Sequence, residues 1–175
     1  MPVRYDAPAR TSALDLPTGS MDFHVSHAVV EHVPPEDLSG IFREAGRLLR
    51  EDGLFVHVID LSDHFSHTDS TISTANFLQF SDRQWARWAG NRYMYMNRLR
   101  VDDLLAILEA ADLEIADMVT KVDWGAEEAI RTGRLLVDDR FRTKPPDVNA
   151  TTGVWVVARP RTVASGSRRP GSRES

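Results

Sequence analysis

Between Ser20 and Asp60 the chain reads as strand, helix, strand, and that order constrains its fold more than any other feature. Leu16-Pro-Thr-Gly-Ser20 is a turn, since Pro and Gly preset the backbone angles a turn requires. Met21 to Val25 follows as a short strand in which Phe23 and Val25 suit a buried face. Pro34-Pro-Glu-Asp37 opens a helix: proline costs nothing in a first turn, and early carboxylates favour its positive end. Leu38, Ile41, Phe42, Ala45, Leu48 and Leu49 recur at helical spacing along one face. Asp52-Gly53 is expected to stop this helix in left-handed geometry, with Leu54 to Ile59 as the next strand. A unit of this length predicts a right-handed parallel crossover, and so an α/β fold.

Beyond it, Leu61 to Arg100 is polar and rich in aromatics, without a simple period, and holds one short helix from Ser81-Asp82 through Trp88. Val101 to Ala111 is a helix with Leu104, Leu105, Ile107 and Leu108 on its apolar side. Leu113 to Val122 reads as a strand, Ala126 to Leu135 as a helix, and Gly153 to Ala158 as a last strand.

The 175 residues suffice for one domain with a real core. A net charge of −5 argues against a general nucleic-acid surface. With no cysteine there is no disulfide, thiolate metal site or Cys nucleophile. No apolar run approaches the roughly 20 residues that span a bilayer, and Met1 to Pro8 lacks the apolar core of a signal peptide. A cytoplasmic protein without membrane or nucleic-acid partners is expected. Residues 1–160 form the expected domain; residues 161–175, with Arg161, Arg168, Arg169 and Arg173 among Ser, Gly and Pro, form a basic tail expected to be disordered.

Ser20-Met-Asp-Phe-His-Val-Ser26, then Val30-Glu-His-Val33, then Arg47-Leu-Leu-Arg-Glu-Asp-Gly-Leu54 and Leu54-Phe-Val-His-Val-Ile-Asp60 together resemble the second half of a class I S-adenosylmethionine-dependent methyltransferase. The segments Asn76-Phe-Leu-Gln-Phe-Ser81 and Asn97-Arg-Leu-Arg100 extend the likeness, which covers residues 8–158. It implies a partial Rossmann-like sheet with helices on its faces and an acceptor-side insertion over residues 61–100. S-adenosylmethionine is the implied cofactor, and the last strand is expected to insert antiparallel. None of the ten glycines forms the Gly-x-Gly loop on which the family holds its cofactor. Truncation at the N-terminus is therefore expected, with a chain that is inactive alone, poorly soluble, and completed by another chain or by self-association. The alternative is a degenerate, non-catalytic pairing module.

The same resemblance assigns site residues. Asp15, just before Leu16-Pro17, would meet the adenine, with Asp6 as a rival, and Ser26 and His27 would lie along the cofactor. His32 would be the base, with Asp60, Asp63 and His64 shaping the acceptor side. Apart from the resemblance, the interleaved aromatic and basic character of Trp85, Arg92, Tyr95 and Arg98, with the polar Asn76 and Asn91, is expected to bind the acceptor, a small molecule of sugar or anionic character. Each has a structural counterpart: Glu31 and His32 can fasten their loop, and the aromatics can form a core. His24 and His57, inside strands, are read as packed, hydrogen-bonded histidines. Asp60-x-x-Asp63-His64-x-x-His67-x-Asp69 has donor types that hold divalent ions. A metal-dependent hydrolase is the third reading, with no metal ligand assigned.

Overall fold

The computed structural model describes residues 3, 5, 7, 9–91 and 95–161. Its elements are β1 (Met21–His27), α1 (Pro35–Leu48), β2 (Leu49–Asp60), α2 (Asp82–Ala89), α3 (Val101–Ala110), β3 (Leu113–Val122), α4 (Trp124–Arg131), α5 (Asp139–Arg142), α6 (Pro146–Asn149) and β4 (Thr151–Pro160). Short 3-10 turns occupy Val30–His32, His64–His67 and Asn76–Gln79. The strands lie in the order β1-β2-β4-β3. β1 and β2 run parallel, and β4 inserts antiparallel between β2 and β3, as expected from the sequence.

The predicted crossover is present, with shifted edges. Leu48, not Gly53, ends α1, because Leu49 turns to extended backbone (φ −66°, ψ 142°) and enters β2 directly. Gly53 has another reason to be glycine. A Cβ there would stand 3.0 Å from the Met21 carbonyl and the Arg50 nitrogen, where the β1–β2 register shifts. α4 begins at Trp124 rather than Ala126, because Asp123 caps it, its carboxylate accepting from the Gly125 and Ala126 N–H groups. β1 runs on to His27, which carries it to the carboxyl edge of the sheet.

The main core lies between α1, α3 and one sheet face. Leu38, Phe42 and Ala45 meet Leu104 and Leu108 over Phe55, Ile59, Val154 and Val156, all nearly inaccessible. Each large side chain so buried contributes about 1.5–3 kcal/mol. His57 sits in this core, with Ser26 Oγ 2.5 Å from its Nδ1 and His24 Nδ1 2.9 Å from its Nε2. Both strand histidines are therefore packed and hydrogen-bonded, as read from the sequence. A second core joins residues of the predicted insertion to the α4–α6 region, through Phe77, Leu78, Trp85, Met96, Ala126 and Phe141. The other sheet face is open: Phe23 is 62% exposed, Val25 67%, Val119 57% and Trp155 45%.

The amino end is tied down at the foot of the sheet. Glu44 accepts from the Leu14 N–H at 2.8 Å and from Arg47, whose guanidinium also donates to the Leu14 and Leu16 carbonyls. Gly19, at φ 63°, makes the predicted turn into β1. Among the described residues, no helix is long and apolar enough to cross a membrane.

Candidate active site

An open cleft of roughly 650 Å³ lies at the carboxyl ends of β1 and β2, the position where open α/β sheets bind their ligands. It is lined by His27, Ala28, Val58 and Asp60 from the ends of β1 and β2, by Lys121, Asp123, Trp124 and Trp155 from β3, α4 and β4, and by Ser62, Ser66, His67 and Thr74 from the segment after β2. Ala28 holds φ at 51°, unusual without glycine, while its N–H bonds to the Val58 carbonyl at 2.9 Å. This kink ends β1 and turns the chain toward Glu31 and His32.

Burial alone would push the Asp60 carboxyl up. The His64 ring and hydrogen bonds from the Ser62 hydroxyl (2.6 Å) and N–H (2.8 Å) outweigh it and hold the group at about 2. Asp60 is thus a carboxylate at neutral pH. It in turn draws the His64 imidazole upward, against the effect of burial.

Of the residues assigned from the sequence, His27 and Asp60 line this cleft. Asp15 does not join them. It belongs to the segment that Glu44 and Arg47 anchor near the start of β1, and seven residues of strand, roughly 20 Å at the usual rise, separate that end from His27. Ser26 directs its hydroxyl to His57 in the core and does not line the cleft. His32 and His64 sit beside the cleft, with their rings edge to face at 5.1 Å.

Asp63 is fully buried and serves the loop: its carboxylate accepts from the Phe65 N–H at 2.9 Å and from Asn76 Nδ2 at 3.2 Å. Asn76 is committed there and to Gln79. Trp85 donates Nε1–H to the Met96 carbonyl inside the second core. Arg98 is buried too, donating to the Phe77 and Phe80 carbonyls and to Asp82, its guanidinium over the Trp85 and Phe141 rings. These side chains build the subdomain that was expected to bind the acceptor. Tyr95 is half-buried, its carbonyl accepting from His32 Nδ1, and Asn91 is exposed. Arg92, Asp6 and residues 162–175 lie outside the described residues.

The Asp60–Asp69 cluster divides as well. Asp69 is occupied at the surface by the Thr71 N–H and hydroxyl. Asp60, His64 and His67 come together without it. Missing from the sequence reading were Lys121, Asp123 and Trp124, although an acidic helix cap directly after a strand marks the end of a sheet where ligands bind. Asn97 belongs to the Asn97-Arg-Leu-Arg100 motif. It is buried and staples the turn after β1, Nδ2 donating to the carbonyls of Val30 (2.8 Å) and Val33 (2.9 Å).

The family profile described as a methyltransferase domain matches residues 5–57. No curated protein matches the sequence. Among solved structures, a SAM-dependent methyltransferase from Methanosarcina mazei aligns with a TM-score of 0.50 at 18% identity, over 86% of this chain and 64% of its own. A provisionally assigned sarcosine dimethylglycine methyltransferase from Galdieria sulphuraria also gives 0.50, at 12% identity, over 86% of this chain and 57% of its own. The chain therefore spans less than two thirds of either protein.

Proposed function

We propose that this chain, which has the class I methyltransferase fold, is an S-adenosylmethionine-dependent methyltransferase acting on a small-molecule acceptor. The observation that carries this reading is the cleft at the carboxyl ends of β1 and β2, with the ionised Asp60 in its wall. S-adenosylmethionine supplies an electrophilic methyl group on a positively charged sulfur. Asp60 suits that cation, and His27 and Ala28 line the cleft beside it. The described residues fit one side of the cofactor; no glycine loop is found among them.

Of the lining residues from β3, α4 and β4, Trp124 and Trp155 suit a sugar or planar acceptor, and Lys121 suits an anionic group on it. Positioning the acceptor atom against the methyl group is the chain's main contribution, since alignment alone removes much of such a barrier. A proton released by the acceptor falls to His27, which lines the cleft, rather than to His32, which does not.

The same proposal treats the chain as the carboxyl-terminal part of a longer catalytic fold. What supports it is the exposure of Phe23 and Val25 on the outermost strand, together with the share of the two relatives that the chain spans. That exposed strand equally favours a second reading, a non-catalytic module that pairs with another chain.

Calorimetric titration with S-adenosylmethionine and S-adenosylhomocysteine tests the first reading. Saturable binding that Asp60→Asn weakens at least about tenfold, as loss of a paired charge should, is the expected result. A folded sample that binds neither compound would remove the cofactor from this chain and leave the pairing module.

A further inference from the structure

We infer that Glu31, His32 and His64 form a binding site for one divalent transition-metal ion, with Asp60 at its margin. The ligand atoms of Glu31, His32 and His64 all lie within 4.8 Å of one another. Glu31 is 1% exposed, yet neither carboxylate oxygen has a hydrogen-bond partner, and the buried Nε2 of His64 has none either. A buried carboxyl without a partner is costly, and a cation among these atoms would satisfy all three at once.

His32 is set up for this role. A carbonyl can only accept, so the 2.9 Å contact with the Tyr95 carbonyl places the proton on His32 Nδ1. Nε2 is left with its lone pair, and a carbonyl behind the ring is the usual support of a metal-bound imidazole. Asp60 Oδ2 stands 3.5 Å from His64 Nε2, long for a hydrogen bond. Two donors bound to one tetrahedral ion at about 2.0–2.2 Å would be roughly 3.3 Å apart, close to that spacing.

The overlapping group of Asp60, His64 and His67 is less suited. The Ser62 hydroxyl gives its single proton to Asp60 Oδ1 at 2.6 Å, so His67 Nε2, 2.9 Å from that oxygen, must carry a proton and donate it. The nitrogen nearest the group is therefore not a free donor. Two imidazoles and a carboxylate suit zinc and its first-row neighbours better than magnesium or calcium. Three protein ligands leave a coordination position for water or an oxygen-bearing acceptor beside the cleft. The site rests on these residues alone and not on methyl transfer.

The test uses the purified chain, stripped with chelator and desalted. Zinc is titrated calorimetrically, and cobalt is followed by its visible ligand-field absorption. One equivalent of either ion is expected, with affinity falling at least about tenfold in Glu31→Gln and His64→Asn and unchanged in His67→Asn. Thermal melts in chelator establish that each variant folds. His32→Ala, at an exposed position, gives the same answer if the buried Glu31 cannot be replaced. No saturable binding by the folded wild-type chain would overturn the inference, and so would unchanged affinity in Glu31→Gln or His32→Ala. Loss in His67→Asn with retention in Glu31→Gln would move the ion to the other group and overturn this ligand set.

Discussion

The Nδ1 of His32 donates to the main-chain carbonyl of Tyr95 at 2.9 Å, joining the turn after β1 to a segment 63 residues further along. Asn97 reinforces that junction from the same segment. Its side chain holds the Val30 and Val33 carbonyls, its N–H bonds to the Glu31 carbonyl, and its Oδ1 accepts from the Leu99 N–H. Replacing Asn97 by Ala strips the Val33 carbonyl and the buried Leu99 N–H of their side-chain partner and is expected to cost about 2–4 kcal/mol. Urea denaturation measures it, and a loss below about 0.5 kcal/mol, the range of ordinary surface changes, would show that the junction does not hold the turn.

A pH dependence follows from His57. Burial, and then the neighbouring His24, lower its folded pKa to about 3 from an ordinary value of 6.5. The unfolded chain takes up a proton below 6.5 that the folded chain refuses. Stability is therefore full above 6.5 and is lost as pH falls toward 3, at up to about 1.4 kcal/mol per pH unit from this group. Denaturation curves at pH 7.5, 5.5 and 4.5 should show the decline, with a shallower one in His57→Gln. Equal slopes in the two proteins would remove His57 as its source.

Arg100 is fully buried and donates to the carbonyls of Leu61 and Thr151, bridging the end of β2 to the start of β4. Burial lowers its pKa, but only to about 10, so it stays charged. Arg100→Met would unpair both carbonyls, and a loss of about 3–5 kcal/mol is expected. A thermal melt that does not move would contradict this bridge.

Gly53→Ala tests the close approach between β1 and β2. The added methyl meets main-chain atoms at 3.0 Å, and backbone cannot swing aside as a side-chain tip can. About 1–3 kcal/mol of destabilisation is expected, in the range of overpacking; an unchanged urea midpoint would mean the strands yield easily.

The fold was legible wherever periodicity and punctuation agreed. The α1 stripe, the Gly19 turn and the elements β3, α4 and β4 follow from local pattern, and so does the packing of His24 and His57. What a short motif cannot carry is the direction of a side chain. Ser26 and His27 are adjacent, yet strand alternation sends one hydroxyl into the core and the other ring into the cleft. Trp85, Arg98 and Asn76 have binding chemistry in the sequence, but their partners lie in segments that only tertiary folding brings near, such as the Phe141 ring under Arg98. For Trp124 and Lys121 the Asp123 cap between them marked the strand end, but only the fold brings that end beside His27 and Asp60.

β4 is the last strand among the described residues and lies in the interior of the sheet, between β2 and β3. During synthesis β3 therefore leaves the ribosome with no strand to pair with, and β2 waits with one side open. The sheet cannot be finished until residues 151–160 have cleared the exit tunnel. Translation at about 5–20 residues per second leaves that interval open for seconds, a window in which Phe55, Ile59 and Leu113, buried in the finished core, are available to chaperones or to nascent copies on the same message.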